Sequence, residues 1–467
     1  MQTNFNTMNP FDGSELEKYN FHKREEIHQL LQKSHTSYRK WSFLSLKERI
    51  RVLTKFRNKI DEKIDELALL ASSEMGKPLS QGVGELNKSI GMMDYYFEHA
   101  ESLLKPQNIS TPFTKSQVHF SAQGTIFGIM PWNFPFWQVL RFAVPTLLVG
   151  NTVMIKHAPN VQGCQNLLQK IFEDSCDDAE LLSIFTTVIA KNDDVPFIIK
   201  DQFVRGVSFT GSEATGRIIA ELAGKNLKKA VLELGGSDAY LVLPDADIEN
   251  AAENCFKARF VNSGQSCVAA KRWIVHRAQK EAFIGKIKEI FTNHFSDKYQ
   301  SCQVAPINKD CALGPLARPD LKDNLFEQVS SSIAKGAKIL IGELPDKQGH
   351  KCYFPPMILD QVTPGMPAFN EELFGPVATI ITGETIDEMI SLANQSDYGL
   401  GGAIFSKDVS QAESIAVERL DTGGVFINQF YQSHAALPFG GVKSSGIGRE
   451  LSHLAFYEFA NMKTIVQ

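Results

Sequence analysis

Residues 206–224, GVSFTGSEATGRIIAELAG, predict a strand, a tight turn and a helix in immediate succession. An apolar run ends in Thr-Gly-Ser, and apolar residues then recur three and four positions apart, which is helical spacing. Other short apolar segments that indicate strands are TVMIKHAP (152–159), RWIVH (272–276), ATIITG (378–383) and GGAIFS (401–406). Helical patterns lie between them, for example over 161–174, 278–295 and 385–395. Short strands that alternate with helices predict an α/β fold built on parallel sheets.

The two ends of the chain depart from this alternation. Residues 17–41 and 45–76 carry helical spacing, and Gly76 and Pro78 predict the end of the second helix. Segments 116–130 and 457–467 are typical of strands. The most apolar region, 134–156, contains Arg141 and Pro145, so it predicts a buried helix followed by a strand rather than a membrane span.

Composition limits the possible partners. The chain has 467 residues, which at roughly 100–200 residues per domain suggests two or three domains. Its net charge of −5 gives no reason to expect nucleic acid or an anionic membrane as a partner. No basic start followed by an apolar run opens the sequence, so we expect no secretory signal and a cytoplasmic location.

The cysteines argue against a disulfide framework and against a metal site. Their number is odd, no pair forms Cys-x-x-Cys, and no Cys/His cluster has ligand spacing. They are Cys164, Cys176, Cys255, Cys267, Cys302, Cys311 and Cys352. Cys267 ends the small polar stretch NSGQSC (262–267), where the glycine allows the backbone to approach a ligand closely. Taken alone, Cys267 is either a buried small hydrophobe or a nucleophile.

The segment FTGSEATGR (209–217) is interpreted in one of two ways, the first of which is a phosphate-binding site. A strand that opens a helix presents free N–H groups and the positive end of the helix dipole. The spacing of Gly211 and Gly216 resembles a nucleotide triphosphate loop, but Arg217-Ile218 replaces the required Lys-Ser/Thr. An ordinary helix cap is the alternative.

Further motifs combine polar groups with rigid or glycine-rich backbone. In PWNFP (131–135) the amide of Asn133 could donate to an oxyanion, or the segment could be a plain turn. In LELGG (232–236) Glu233 could be a base with a pKa raised by burial, or a carboxylate satisfied by backbone N–H groups. The loops NEELFGPVATI (370–380) and LPFGGVKSSGIGRE (437–450) either edge a cleft or are surface turns.

PWNFP, FTGSEATG, LELGG, NSGQSC, EELFGPV and PFGGVKSSGIGRE, in this order, resemble the aldehyde dehydrogenase superfamily over nearly the whole chain. IKHAPNVQGC with LELGGSDAYLVL is most similar to the short, bacterial-type succinate semialdehyde dehydrogenases. The resemblance implies a Rossmann-like cofactor domain (1–104 and 123–235) and an α/β catalytic domain (236–444). It also implies a bridging element (105–122 and 455–467) that assembles homodimers or homotetramers.

The resemblance also implies a reaction. Cys267 would attack an aldehyde, Asn133 and the backbone N–H of Cys267 would form the oxyanion hole, and Glu233 would activate water. The aldehyde would be oxidised to a carboxylic acid through a thiohemiacetal and a thioester. Because Glu233 is retained, a coenzyme A-acylating variant is disfavoured. Because Cys267, Asn133 and Glu233 are all present, a binding or structural role on the same scaffold is disfavoured as well.

NAD or NADP is the implied cofactor. The residues that match its contacts are Lys156, Trp132, Gly211, Ser212, Glu372 and Phe374. Many NAD-preferring members carry a glutamate three residues after the lysine, where this chain has Pro159. The choice between NAD and NADP therefore stays open.

The substrate implied is succinate semialdehyde, with another aldehyde, neutral or phosphorylated, as the alternative. Arg141 and Ser433 match residues that bind the distal carboxylate. A second arginine of some members would fall at Val261, and Arg259 or His434 could assist instead. Because Val268-Ala269-Ala270 follows the nucleophile, we expect no local disulfide switch.

Overall fold

The computed structural model describes residues 3–295, 305–308, 311–347 and 349–467. Cys302 lies outside these residues. The strands, in chain order, are β1 (Asn4–Met8), β2 (Glu15–Asn20), β3 (Gln107–Asn108), β4 (Ser116–Ser121), β5 (Thr125–Met130), β6 (Thr152–His157), β7 (Phe185–Thr187), β8 (Val204–Thr210), β9 (Lys229–Glu233), β10 (Ala239–Val242), β11 (Arg272–His276), β12 (Lys338–Ile341), β13 (Met357–Asp360), β14 (Val377–Gly383), β15 (Tyr398–Gly399), β16 (Gly402–Phe405), β17 (Val425–Ile427), β18 (Val442–Lys443), β19 (Gly446–Ile447) and β20 (Asn461–Val466). The helices are α1 (Arg24–Trp41), α2 (Leu46–Glu62), α3 (Ile64–Met75), α4 (Leu79–Leu103), α5 (Trp137–Val149), α6 (Gln162–Ser175), α7 (Val195–Lys200), α8 (Glu213–Lys225), α9 (Ile248–Phe260), α10 (Lys280–Phe295), α11 (Pro319–Ala334), α12 (Pro367–Asn370), α13 (Ile386–Asn394), α14 (Val409–Glu418) and α15 (Leu454–Glu458).

The first sheet contains the strand–turn–helix of residues 206–224. Its strand order is β19-β9-β8-β5-β6-β7, and all neighbours are parallel except β19 against β9. Ser212 caps α8, because its side chain accepts a hydrogen bond from the N–H of Thr215. The α/β class predicted from the alternation is confirmed.

The second sheet is built from the later strands in the order β12-β13-β14-β11-β10-β16-β17. Its strands are parallel except for β12 at one edge. A small antiparallel sheet, β20-β4-β3, combines the end of the chain with the segment that follows α4. We call it the bridging sheet. The domain boundaries stay a prediction.

The apolar region 134–156 folds as a buried helix and a buried strand. Every residue of α5, including Arg141 and Pro145, is buried, and so is every residue of β6. Among the described residues, no helix combines the length and the apolar composition that a membrane crossing requires.

Two helix predictions near the N-terminus need correction. Residues 17–20 belong to strand β2, which pairs with β1 and packs Tyr19 against Phe5 at a ring distance of 5.7 Å. The helical spacing of this segment was overridden by a strand partner lying earlier in the chain. The helix expected over 45–76 is two helices, α2 and α3, which are separated at Lys63.

Candidate active site

The carboxyl ends of the parallel strands in the first sheet collect most of the predicted site residues. Lys156 lies near the end of β6, and Glu233 ends β9. Asn133 follows β5, while Gly211 and Ser212 follow β8. Because parallel strands end at one edge of their sheet, the topology brings these residues together, and ligands of open α/β sheets bind at this edge.

Cys267 is delivered by a loop with an unusual backbone. Helix α9 is followed by a 3-10 turn, Val261–Gly264, in which Asn262, Ser263 and Gly264 have φ angles of +53°, +54° and +71°. The first two are non-glycine residues in the left-handed region, which stores strain unless the surroundings hold it. Asn262 Nδ2 donates to the backbone oxygen of Asn133 at 2.8 Å, which ties this loop to the PWNFP turn.

Position 264 requires glycine because the backbone of Gly375 lies too close for a side chain. A Cβ atom at this position would overlap the carbonyl oxygen of Gly375. The fully buried Gln265 that follows accepts a hydrogen bond from the N–H of Ala317 at 2.9 Å through Oε1. These contacts hold the residues that precede Cys267 in one conformation.

Asn133 is buried and its amide is oriented. Its Nδ2 donates to the backbone oxygen of Gln265 at 3.0 Å, and its Oδ1 accepts from Gln138 Nε2 at 3.2 Å. An amide nitrogen carries two hydrogens, so one remains after the bond to Gln265. The amide nitrogen thus faces the backbone two residues before Cys267.

Cys267 is partly exposed to a cavity of about 300 Å³. Aromatic side chains form much of the wall, and its polar groups include Arg141, Lys88 and Ser433. Burial raises the pKa of the Cys267 thiol to about 12, while the positive charges of Lys271 and Arg141 act to lower it. At neutral pH the thiol is therefore protonated, and a nucleophilic reaction here requires removal of its proton.

Glu233 is a buried carboxyl group without a partner. Within the described part of the chain, neither of its carboxylate oxygens has a hydrogen-bond donor. Burial raises its pKa well above the ordinary value, and the nearby Glu450 raises it further, while Arg141 opposes both. An unsatisfied buried carboxyl group with a raised pKa is the state expected of a general base.

Arg141 lines the cavity and is also paired. Its guanidinium forms a buried ion pair with Glu450 and lies over the ring of Phe439 at 4.7 Å. Ser433 lines the same cavity, and its hydroxyl accepts a hydrogen bond from Lys88 Nζ at 2.7 Å.

Arg259 and His434, which could have helped to bind the distal carboxylate, do not reach the cavity. Arg259 is fully buried and donates to the backbone oxygens of Val377, Leu373 and Gly375. His434 is exposed and accepts a hydrogen bond from the N–H of Ala436. Neither residue lines the cavity.

The cofactor-side residues form a second group. Lys156 is 5% exposed, and burial lowers its pKa to about 8. Glu372 pairs with Lys271 at 3.0 Å and accepts from the N–H of Gly236 at 3.1 Å. The rings of Trp132 and Phe374 meet edge to face, with centroids 5.7 Å apart.

The sequence matches the description "Aldehyde dehydrogenase family" over residues 1–465. The chain belongs to the aldehyde dehydrogenase family. The resemblance inferred from the six motifs is thereby confirmed.

Individual aldehyde dehydrogenases are similar along their whole length. A succinate semialdehyde dehydrogenase [NAD(P)+] of Escherichia coli K12 is 40% identical over 460 residues, which is 98% of this chain and 97% of the relative. A succinate-semialdehyde dehydrogenase [NADP(+)] of Deinococcus radiodurans is 39% identical over 99% of this chain and 94% of its own. The crystal structure of succinic semialdehyde dehydrogenase from Streptococcus pyogenes, in complex with NADP+, superposes with a TM-score of 0.92 at 32% identity, covering 99% of both chains.

Sequence reasoning missed three charged residues of this candidate site. Glu450 is the last residue of PFGGVKSSGIGRE, and its pairing with Arg141 has no signal in that motif. Lys271 follows Cys267 by four residues and donates to its backbone oxygen at 2.7 Å. Lys88 carries no sequence signal, because its place in the cavity depends on how α4 packs.

Among the described residues, no group of three or more His, Cys, Asp or Glu side chains is placed to hold a metal ion.

Proposed function

We propose that this aldehyde dehydrogenase oxidises succinate semialdehyde to succinate with NADP or NAD. The observation that carries the proposal is the cavity that holds Cys267 together with Arg141, Lys88 and Ser433. A short aldehyde with a distal carboxylate needs a nucleophile at one end and a cation with a hydroxyl donor at the other. The names of the Escherichia coli and Deinococcus radiodurans relatives support the same substrate.

In the proposed mechanism, the thiol of Cys267 first loses its proton to water in the cavity, and the resulting thiolate forms a bond to the aldehyde carbon and gives the anion of a thiohemiacetal. The remaining N–H of Asn133 and the backbone N–H of Cys267 donate to the oxyanion, in a buried setting where such hydrogen bonds are strong. When bound, NAD(P) supplies the acceptor for the hydride that leaves the same carbon, and a thioester remains.

Glu233 completes the reaction in this proposal. Once ionised, its carboxylate takes a proton from water, the hydroxide attacks the thioester, and the bond between carbon and the Cys267 sulfur breaks. The carboxylic acid is released and the thiolate is restored. The raised pKa of Glu233 makes the carboxylate a stronger base than an exposed glutamate.

The residues present fit a dinucleotide. No acceptor for the buried ammonium of Lys156 is found among the described residues, so a ribose hydroxyl or a phosphate would satisfy it. Helix α8 begins after Gly211 and Ser212 with free N–H groups, which favour a pyrophosphate. Because Pro159 supplies no carboxylate to repel a 2′-phosphate, we propose that NADP is accepted as well as NAD.

We propose further that the chain forms a homodimer or homotetramer through the bridging sheet, as the division into cofactor, catalytic and bridging domains implies. Every residue of β20 is exposed, including Met462 at 54% and Val466 at 46%. An uncovered apolar strand surface is typical of an interaction site.

A cytoplasmic location stays a prediction from the sequence.

A neutral aldehyde is the second candidate substrate. The observation that favours it is the aromatic wall of the cavity, formed by Phe134, Trp137, Phe430 and Phe439. Such a wall would hold an alkyl chain without help from the cations.

A cofactor-reduction assay separates the two candidates. Purified protein receives succinate semialdehyde or butanal, each with NAD or NADP, and Cys267→Ala is assayed in parallel. We expect kcat/KM for the carboxylated aldehyde to be at least about tenfold higher, since a charged hydrogen bond contributes roughly 1.5–3 kcal/mol, and we expect the variant to be inactive. Equal turnover of butanal would overturn the substrate proposal, and activity in Cys267→Ala would overturn the mechanism.

A further inference from the structure

Lys88 lies on the stripe of α4 that faces the cavity of Cys267. Gln81, Gly84 and Glu85 line the same cavity, and the spacing 81, 84/85, 88 places all of them on one helix face. The ammonium of Lys88 donates to Ser433 Oγ at 2.7 Å and lies 4.5 Å from the centroid of the Trp137 ring. A helix far from Ser433 in sequence thus presents a cation to the cavity.

The charges around the cavity are not equally available to a ligand. Arg141 is paired with Glu450. Glu85, the carboxylate nearest to Lys88 in sequence on α4, is used by Lys77 and by the backbone N–H groups of Phe136 and Trp137. In the described part of the chain, no carboxylate forms an ion pair with Lys88, so its charge is available to an anionic ligand.

The surroundings of the ammonium support the same conclusion. The residue as a whole is exposed at the cavity mouth, but the atoms packed around its charged end lower its pKa to about 8. Burial is the main cause, followed by the charge of Arg141, while Glu85 and Cys267 act in the opposite direction. Lys88 is therefore near enough to Arg141 and Cys267, which line the same cavity, for their charges to shift its pKa.

Ser433 adds a second donor. Because its oxygen accepts the hydrogen bond from Lys88, its own O–H remains free to donate to a ligand. One carboxylate oxygen could then meet the ammonium of Lys88 while the other meets the hydroxyl of Ser433.

We propose that Lys88, together with Ser433, binds the distal carboxylate of the aldehyde and is the specificity-determining cation of this cavity. Arg141, held by Glu450, forms the neighbouring positive wall. This inference rests on the proposed function, because it names the residue that selects a carboxylated substrate.

The test compares three variants with the wild type: Lys88→Met, Lys88→Arg and Lys257→Met. Lys257 is the matched control, because it also lines the cavity and lies over an aromatic ring, that of Phe430 at 5.0 Å, but, unlike Lys88, it donates no hydrogen bond to Ser433 among the described residues. For Lys88→Met we expect KM for succinate semialdehyde to rise by about tenfold to hundredfold, with kcat within about threefold. KM for butanal should stay nearly unchanged, Lys88→Arg should recover most of the loss, and Lys257→Met should change either KM by less than about threefold.

A pH profile gives a readout that a purely structural role would not produce. Loss of the ammonium charge above about pH 8 should raise KM for succinate semialdehyde in the wild type. This rise should be absent in Lys88→Met. Equal effects of Lys88→Met on both aldehydes, or a larger effect of Lys257→Met, would overturn the inference.

Dead-end inhibition separates failure of the inference from failure of the proposed substrate. Succinate and butyrate are compared as inhibitors of butanal oxidation, which needs no turnover of the carboxylated aldehyde. We expect the wild type to prefer succinate and Lys88→Met to lose this preference. If the wild type shows the preference but does not oxidise succinate semialdehyde, the substrate proposal fails and the carboxylate site stands. If the preference is absent or survives in Lys88→Met, the assignment of Lys88 is wrong.

Discussion

At the scale of single residues, the proposed chemistry depends on Cys267 being held in a place that does not itself favour a thiolate. Burial raises its pKa to about 12 even though Lys271 and Arg141 lie nearby. The left-handed backbone of Asn262 and Ser263 fixes its position, and the unsatisfied Glu233 lies close enough to raise its pKa further. The fold therefore holds Cys267 in position, and the proposed reaction requires that the proton of its thiol be removed.

The raised pKa predicts how Cys267 reacts with iodoacetamide. Since the pKa lies far above neutrality, the thiolate fraction should rise about tenfold per pH unit from pH 7 to 9.5 without a plateau. The alkylation rate, followed by mass spectrometry of the peptide that contains Cys267, should show this slope. A synthetic NSGQSC peptide, with an ordinary thiol, should flatten near pH 9. A plateau for the protein below pH 8 would contradict the prediction.

At the scale of elements, β6 and the PWNFP turn are joined by a buried histidine. His157 ends β6, and its Nε2 lies 2.9 Å from the backbone oxygen of Pro135. Burial lowers the pKa of His157 to about 4, so the ring is neutral at pH 7. The turn that carries Asn133 is thus anchored to the strand that carries Lys156.

This anchor predicts a pH-dependent stability. A folded-state pKa of about 4 against an unfolded value of about 6.5 means that stability is complete above pH 6.5 and is lost as the pH falls towards 4. At pH 5 the loss should be about 2 kcal/mol. Urea unfolding of wild type and His157→Gln at pH 7.5 and 5 should show the gap between them shrink by about this amount. The exposed His434→Gln serves as the control, and an unchanged gap for His157→Gln would refute the prediction.

At the scale of the whole molecule, the bridging sheet carries exposed apolar side chains on its last strand. Strand β20 pairs with β4 over its full length, with Met462 opposite Phe120 and Val466 opposite Ser116. Met462 and Val466 point to the same face, because side chains alternate along a strand. Both are exposed, and in the proposed assembly a second copy of the chain would cover them.

The proposed assembly predicts a change in mass. Light scattering at micromolar concentration should give a dimer or tetramer for the wild type and a smaller species for Met462→Lys/Val466→Lys, because lysines would be buried without partners. The matched control is Val417→Lys on α14, where the side chain is 84% exposed, and it should keep the wild-type mass. A monomeric wild type, or dissociation of the control alone, would show the assignment to be wrong.

The sequence by itself determined the α/β class, the family and the residues that are brought to one sheet edge. These features are encoded locally: strand and helix periods span a few residues, and Cys267, Asn133 and Glu233 each lie in a short motif with a distinct composition. Parallel strands then bring separate motifs together without any further information. The prediction of a helix at residues 17–20 was wrong because these residues form strand β2 by pairing with β1, and a local pattern does not encode such pairing.

Tertiary structure alone decided how the charges are shared. The pairing of Arg141 with Glu450, and the meeting of Lys88 with Ser433, join residues hundreds of positions apart. No local pattern encodes such pairs, because they depend on which faces of α4 and α5 pack around the cavity. Burial is the largest cause of the shifted pKa values of Cys267, Glu233 and His157, and it follows from the amount of protein that the fold packs around each group.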